Sequence, residues 1–408
     1  MSLNTAWHTT FWRIYIGQTL SIISSSAVQF AMIWWITVET GSAWALTIAS
    51  IVGLLPQALI GMIAGVWIDR YPRKRIIMLA DSMTAGASLV LALCFVSGYA
   101  SLTVVYVALF VRALGDTFHK PAMQAAMPLI VPSEELTRVG GLMQLVNSAG
   151  TMVGPMLGAL LMSQLRIEAV LLIDVIGALI AVATMAGARF GGSAPIAPRA
   201  TTVWADWRVG YDTFRQNVPL SRLAIPMLIA TITFMPIGSL LPLLVKNYFN
   251  GTAWQSGLVQ TAFSTGMLVG AMLIGLTGGF KRQFLMIALA NATLGISALL
   301  AGALPADAFW IFCGCVVVMG MSGMGFNIPF TAYIQRSVPA QHLGKVIAFI
   351  TSLMSMAAPI GMMVSGPTAA WLGVNNWMMV AGVTMIVIGG VSYLLTRTYD
   401  VPAPSEAA

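Results

Sequence analysis

The stretch VPSEELTRV, residues 131–139, is met again 207 positions later as VPAQHLGKV, residues 338–346, and the fold turns on what that repetition joins. Each copy sits between two long apolar runs, at the end of an even-numbered run in its half of the chain. The chain is therefore expected to be two six-helix units in tandem. Working outward from these loops, twelve apolar runs can be marked, at about 12–37, 43–66, 76–97, 102–127, 139–163, 168–188, 222–246, 254–277, 283–304, 308–332, 343–365 and 374–396. Each is close to the ~20 residues a helix needs to cross the hydrocarbon. The composition agrees: 58% of the 408 residues are hydrophobic and only 8% charged, where a soluble domain carries roughly a quarter. Strands of a membrane barrel are about half as long and alternate in polarity. The expected fold class is an all-α integral membrane protein, with twelve transmembrane helices in two pseudo-symmetric six-helix bundles.

The cations fix an expected orientation. If the N-terminus is cytoplasmic, sixteen of the twenty Lys and Arg fall in inner segments, Arg166 and Lys246 fall outside, and Arg112 and Lys120 lie within a span. By the positive-inside rule both termini are then cytoplasmic. The net charge of +7 reflects this bias, and no nucleic-acid partner is expected. The first run is too long and too polar to read as a signal peptide. Cys94, Cys313 and Cys315 fall in spans without metal-ligand spacing and read as packing residues. The expected division is a first bundle at 1–190, a cytoplasmic linker at 191–221 and a second bundle at 222–408. Within the linker, Trp204, Trp207 and Tyr211 recur at helical spacing, which predicts an amphipathic helix on the inner membrane surface.

Three motifs then suggest a family. GVWIDRYPRKR, Gly65–Arg75, resembles motif A of the major facilitator superfamily, with Pro72 where that motif often has glycine. Gly65 is expected to permit close helix approach, Asp69 to pair or accept hydrogen bonds at a helix end beside Arg70, the basic member of the motif, and Arg73, Lys74 and Arg75 to hold the loop inside. GTMVGPMLGALL, Gly150–Leu161, resembles motif C, which in this superfamily marks antiporting exporters. Its Gly150, Gly154 and Gly158 share one helix face, and Pro155 can bend the span. Arg112-Ala-Leu-Gly115 resembles motif B, whose buried arginine is associated with proton coupling. The text around IGQTLSIISSSAVQFAMIWW and the linker is similar to the branch that contains macrolide efflux proteins. The match to motif A in the second half, GGFKRQ at 278–283, is poor.

Arg112, Asp116, His119 and Lys120 lie in one span at helical spacing. Arg112 sits about 15 Å along it, near the midplane, where an unpaired charge costs several kcal/mol. The face is expected to point into a central cavity, with Asp116 and Asp174 balancing the two cations. Asp116 reads either as a coupling carboxylate or as the counter-ion of Arg112. Asp174 reads as coupling group or helix-packing residue, and His119 as polar cavity residue or proton relay. Lys120 either lines the cavity or snorkels to the interface. Asp81 is expected to pair with the motif A cations. Gln18, Ser25, Gln29, Phe30, Trp34, Gln144, Asn147, Gln260 and Asn327 are candidates for contact with substrate.

The resulting expectation is a proton-coupled secondary exporter of amphipathic drugs such as macrolides, working by alternating access around a midplane cavity in the cytoplasmic membrane. Its partners are a small amphipathic substrate, protons and the lipid bilayer, without cofactor or metal, as a monomer. A proton-linked transporter of a single metabolite is the alternative within the fold. A membrane-embedded enzyme or non-transporting receptor finds less support: there are three histidines, and no nucleotide-binding G-x-x-x-x-G-K-[ST] motif.

Overall fold

The computed structural model describes residues 6–188, 203–280 and 282–400. They form thirteen α-helices: α1 Ala6–Thr40, α2 Ala43–Arg70, α3 Arg73–Val96, α4 Leu102–Ala126, α5 Leu136–Gln164, α6 Ile167–Ala186, α7 Val203–Gln216, α8 Val218–Asn247, α9 Ala253–Thr277, α10 Gln283–Ala303, α11 Phe309–Ser337, α12 Ala340–Leu372 and α13 Val374–Thr396. All but α7 are long and apolar enough to span a bilayer, twelve in all among the described residues. In hydrocarbon a backbone must satisfy its own hydrogen bonds, which is why apolar runs of this length fold as helices.

The breaks between helices follow local chemistry. Ser101 accepts a hydrogen bond from the Val104 amide at the start of α4, and Asn217 does the same for Leu220 at the start of α8. Pro72 and Pro339 precede α3 and α12 in extended backbone, as residues that cannot continue a helix but can sit before its first turn. Gly373, at φ 88°, lets the chain turn directly from α12 into α13. The start of α10 has no cap of its own. Instead Asp400, far along the chain, accepts from the amides of Phe284 and Leu285 at 3.0 and 3.1 Å.

The helices fall into two compact units. One contains α1, most of α2, α3 to α6 and the first residues of α9; the other holds the rest. Within the first, α1 packs on α5 and α6, and α3 on α4 and α6; within the second, α8 packs on α12 and α13, and α10 on α11 and α13. The two schemes are the same scheme. Helices α4 and α11 begin at Leu102 and Phe309, and α6 and α13 at Ile167 and Val374, each pair 207 positions apart, the same interval as the repeated loops.

Two expectations change. The apolar face of α7 packs on protein rather than on the membrane surface. The rings of Trp207, Tyr211 and Phe214 surround Phe349 of α12 at 5.0, 5.7 and 5.2 Å between centroids, and a methyl group added at Gly210 would press on the carbonyl of Lys345. An aromatic face finds its partner in the neighbouring helix, so burial does not need lipid. The side chain of Trp204 and the start of the linker, including residues 191–202, lie outside the described residues. The second change is Gly65, where an added Cβ would meet nothing within 4 Å; this glycine is exposed and makes no close helix contact.

Candidate functional site

The interior of the first unit is charged. Arg112 of α4 and Asp174 of α6 form an ion pair, the carboxylate fully buried and the arginine 5% exposed. Asp174 Oδ1 accepts from Ser25 Oγ at 2.7 Å and Ser24 Oγ at 3.3 Å. Asp174 Oδ2 accepts from Ser88 Oγ at 2.7 Å as well as from the guanidinium. Arg112 also donates to Ser88 Oγ and, at 3.1 Å, to the carbonyl of Ser25. Four helices thus converge on one carboxylate. Burying a pair of charges costs several kcal/mol per ion unless hydrogen bonds fill the remaining lone pairs, and here both carboxylate oxygens are filled.

A second polar cluster lies on three of the same helices. Gln18 of α1 donates through Nε2 to Asp81 Oδ2 at 3.1 Å, and its Oε1 lies 3.0 Å from His119 Nε2. The same His119 nitrogen is 3.3 Å from Asp81 Oδ1. The three side chains close a ring, all buried. Because Nε2 faces two acceptors, it carries a proton.

The charged residues of α4 therefore split between the buried and the exposed edge of one arc. Arg112 and His119 point inward among α1, α3 and α6, not into an open cavity, whereas Asp116 and Lys120 are 62% and 68% exposed and pair with each other at 3.9 Å. A helix advances about 100° per residue, which sets Asp116 some 60° from His119 around the axis. That rotation takes it away from Arg112, and Asp174 is the counter-ion of the arginine instead. Asp81 likewise does not pair with the motif A cations: it belongs to the ring. Those cations serve helix ends. Arg73 donates to the Ala125 carbonyl at 2.9 Å, and Lys74 to the carbonyls of Ala186 and Ala188 at 2.6 and 2.8 Å, where the exposed carbonyl ends of α4 and α6 favour positive charge. Arg70 is exposed, and the side chain of Asp69 lies outside the described residues.

Motif C packs α5 onto α1. Added Cβ atoms would meet Ile22 Cγ2 at 2.7 Å from Gly150, the backbone of Ser26 at 3.2 Å from Gly154 and, closest of all to backbone, the Ala27 carbonyl oxygen from Gly158. The small-residue face brings two backbones together and holds Ser24 and Ser25 at their station beside Asp174. Of the remaining candidates, Gln18 and Ser25 are tied into the two networks. Phe30 and Trp34 are buried and stacked with ring centroids 6.4 Å apart. Gln29, Lys120, Gln144, Asn147 and Asn327 are exposed and Gln260 is half-buried; Asn147 donates to the Met143 carbonyl of its own helix. Ser24 and Ser88 are the site residues that sequence reasoning missed, and Asp81 is the one it gave other partners. The available signal was the interval of seven between Asp81 and Ser88, which puts two polar groups on one face of α3.

In the second unit the matching positions are apolar. Counting 207 positions on from Arg112 and Asp174 reaches Met319 and Ala381, and Ser88, fifteen residues into α3, matches Ala298 in α10. These three are buried in one apolar cluster. The fold is built in that half without the charges.

Comparisons with known proteins agree on the architecture and on a class of activity. The sequence profile described as Major Facilitator Superfamily matches residues 14–244 and 223–408. Macrolide efflux protein A of Streptococcus pyogenes is 37% identical over 397 residues, covering 96% of this chain and 97% of that protein. The multidrug efflux pump Tap of Mycolicibacterium fortuitum is 27% identical over 388 residues, covering 91% of this chain and 92% of that one. Among solved structures, a bacterial homologue of the iron transporter ferroportin in an inward-facing state superposes with a TM-score of 0.72 at 15% identity, over 97% of this chain and all of that one.

Proposed function

The chain belongs to the major facilitator superfamily and is a membrane transporter rather than an enzyme, and from that premise we propose that it exports amphipathic, often cationic compounds such as macrolides in exchange for protons. The observation that carries the coupling is the Arg112–Asp174 pair, buried where the matching half of the molecule has Met319 and Ala381. A fold that closes around methionine and alanine in one half has no structural need of an ion pair in the other. In a membrane interior such groups mark proton or ion pathways.

The chemistry follows from charge. With Asp174 ionised the pair is neutral and α1, α3, α4 and α6 are drawn together. Protonation of Asp174 leaves the guanidinium without a counter-ion, raises the net charge of the site by one and loosens the four-helix junction. Substrate and proton then favour different states of the same helices, as alternating access requires. Asp116, exposed on α4 beside Lys120, is in this reading the carboxylate that meets a cationic substrate. Phe30, Trp34, Gln29, Gln144, Asn147, Gln260 and Asn327 remain the proposed substrate contacts. The termini are cytoplasmic, the membrane is the cytoplasmic one, and the carrier acts as a monomer.

The test uses proteoliposomes of known orientation with an imposed pH gradient and two probes, erythromycin and tetraphenylphosphonium. Wild type is expected to concentrate at least one probe. Asp174→Asn is expected to lose gradient-driven accumulation while keeping downhill exchange, and Asp116→Asn to keep the response to the gradient with weaker uptake of the cation. Accumulation by Asp174→Asn equal to wild type would remove the pair from the coupling mechanism.

A further inference from the structure

The two polar clusters are in register. Gln18 and Ser25 are seven residues apart on α1, Asp81 and Ser88 on α3, and His119 and Arg112 on α4. Seven residues are close to two turns, so all three helices carry one layer of polar groups about 10 Å from the next. Between the layers, one turn from each, stand Ser21 on α1, Thr84 on α3 and Gly115 on α4. Both hydroxyl residues are buried. Gly115 adds no side chain to this middle layer, and a Cβ there would press on Thr84 Oγ1 at 2.9 Å. Ser24 continues the line, bonded to the Ser21 carbonyl at 3.0 Å and to Asp174 at 3.3 Å. Polar side chains thus stand in successive layers between the ring and Asp174, with Thr84 Oγ1 donating to the Ala80 carbonyl of its own helix at 3.2 Å.

We propose that the Gln18–Asp81–His119 ring is a second proton-holding station, which exchanges a proton with Asp174 across the buried layer that holds Ser21 and Thr84. The inference rests on the proton-coupled reading above and adds Asp81 and His119 to it as a separate site. The ring is built to hold one proton between an imidazole and a carboxylate, with the Gln18 amide bonded to both. When that proton passes to Asp174, the ring goes from neutral to −1 and the Arg112–Asp174 pair from neutral to +1. The total charge is conserved, and the two layers then attract each other across the membrane interior.

The surrounding charges are few. Helix α1 presents none between Arg13 and Glu39, α3 none but Asp81 beyond its first turn, and α6 only Glu168 and Asp174; α4 adds Arg112, Asp116 and Lys120. The second unit again gives the comparison. Asp81, eight residues into α3, matches Asn291 at the same place in α10, and 207 positions on from His119 stands Phe326. Neither can carry a proton at neutral pH, and that unit folds without the ring.

The test has two readouts on full-length protein. In proteoliposomes, protons moved per erythromycin and the pH profile of transport are compared for wild type, Asp81→Asn, His119→Gln and Thr84→Val. In parallel, with His8 and His342 replaced by Gln, the ¹⁵N signals of His119 are recorded at pH 7 with and without Asp81→Asn. The expected result is that the ring variants keep downhill exchange, move fewer protons per substrate and shift the pH profile by at least one unit. Thr84→Val is expected to slow gradient-driven transport about tenfold at unchanged proton number, and His119 to go from doubly protonated to neutral when Asp81 is replaced. Ring variants with a wild-type pH profile and proton number, together with a His119 spectrum indifferent to Asp81, would overturn the proposal and leave the role of Asp174 standing. A wild type that ignores the gradient would overturn both.

Discussion

At the scale of single residues, the buried pair permits a sharp separation of stability from function. Removing one partner strands the other charge in the bundle, at a cost of roughly 3–5 kcal/mol. Arg112→Leu is therefore expected to lower the thermal unfolding temperature of detergent-solubilised protein markedly. The double variant Arg112→Met with Asp174→Ala copies the residues at the matching positions of the second unit. It is expected to unfold at least as high as wild type, because replacing a buried pair by packed apolar groups is often neutral or stabilising by about 1–4 kcal/mol. Its gradient-driven transport should nevertheless be absent. Which charges pair was not legible in the sequence. Spacing placed Arg112, Asp116, His119 and Lys120 in one arc of α4, but an arc of that width covers both a buried edge and an exposed one. The choice between Asp116 and Asp174 depended on how α4 is rotated against α6, and no pattern within α4 records that.

At the scale of helices, the glycine contacts separate positions that look alike in the sequence. Gly158→Val is expected to disrupt the α1–α5 contact and give little folded protein, since a side chain there meets the backbone of Ala27. Gly65→Ala, in the equally glycine-marked motif A, should change neither expression nor melting. The same holds for borrowed caps. Asp400→Ala removes the side-chain acceptor at the first amides of α10 and is expected to cost about 1 kcal/mol, measured as a fall in melting temperature. The boundaries of the helices were largely readable from apolar length, proline and glycine. The partner of α7 was not, because an amphipathic face states that it will be covered and leaves open by what. Phe349→Ala is expected to expose α7 to trypsin at Arg208 and Arg215, seen as faster cleavage between the two halves of the chain.

At the scale of the whole molecule, the tandem loops at Pro132 and Pro339 announce an architecture that the helix packing repeats, with α1, α3, α4, α5 and α6 matched by α8, α10, α11, α12 and α13. Even the tight contacts recur: Gly154 presses on α1 at Ser26, and Gly361, 207 positions on, presses on α8 at Ile232. What the repeat does not preserve is polarity. The polar layers were hidden from the sequence because their members are spread over α1, α3, α4 and α6, single residues in four apolar helices, and only packing gathers them.

That layering has an electrical consequence. In the proposed mechanism, Arg112 with Asp174, Lys120 with Asp116, and His119 with Asp81 each sum to zero in the unloaded carrier. Its reorientation then carries no charge across the membrane, and its rate should be flat when the voltage is clamped at different values. A carrier holding one more proton, or a cationic drug, moves a full elementary charge, worth about 2.3 kcal/mol for every 100 mV. The voltage-dependent limb of the cycle is thus expected to be the loaded one, so recordings on a supported membrane should show current only when proton or cation is on board.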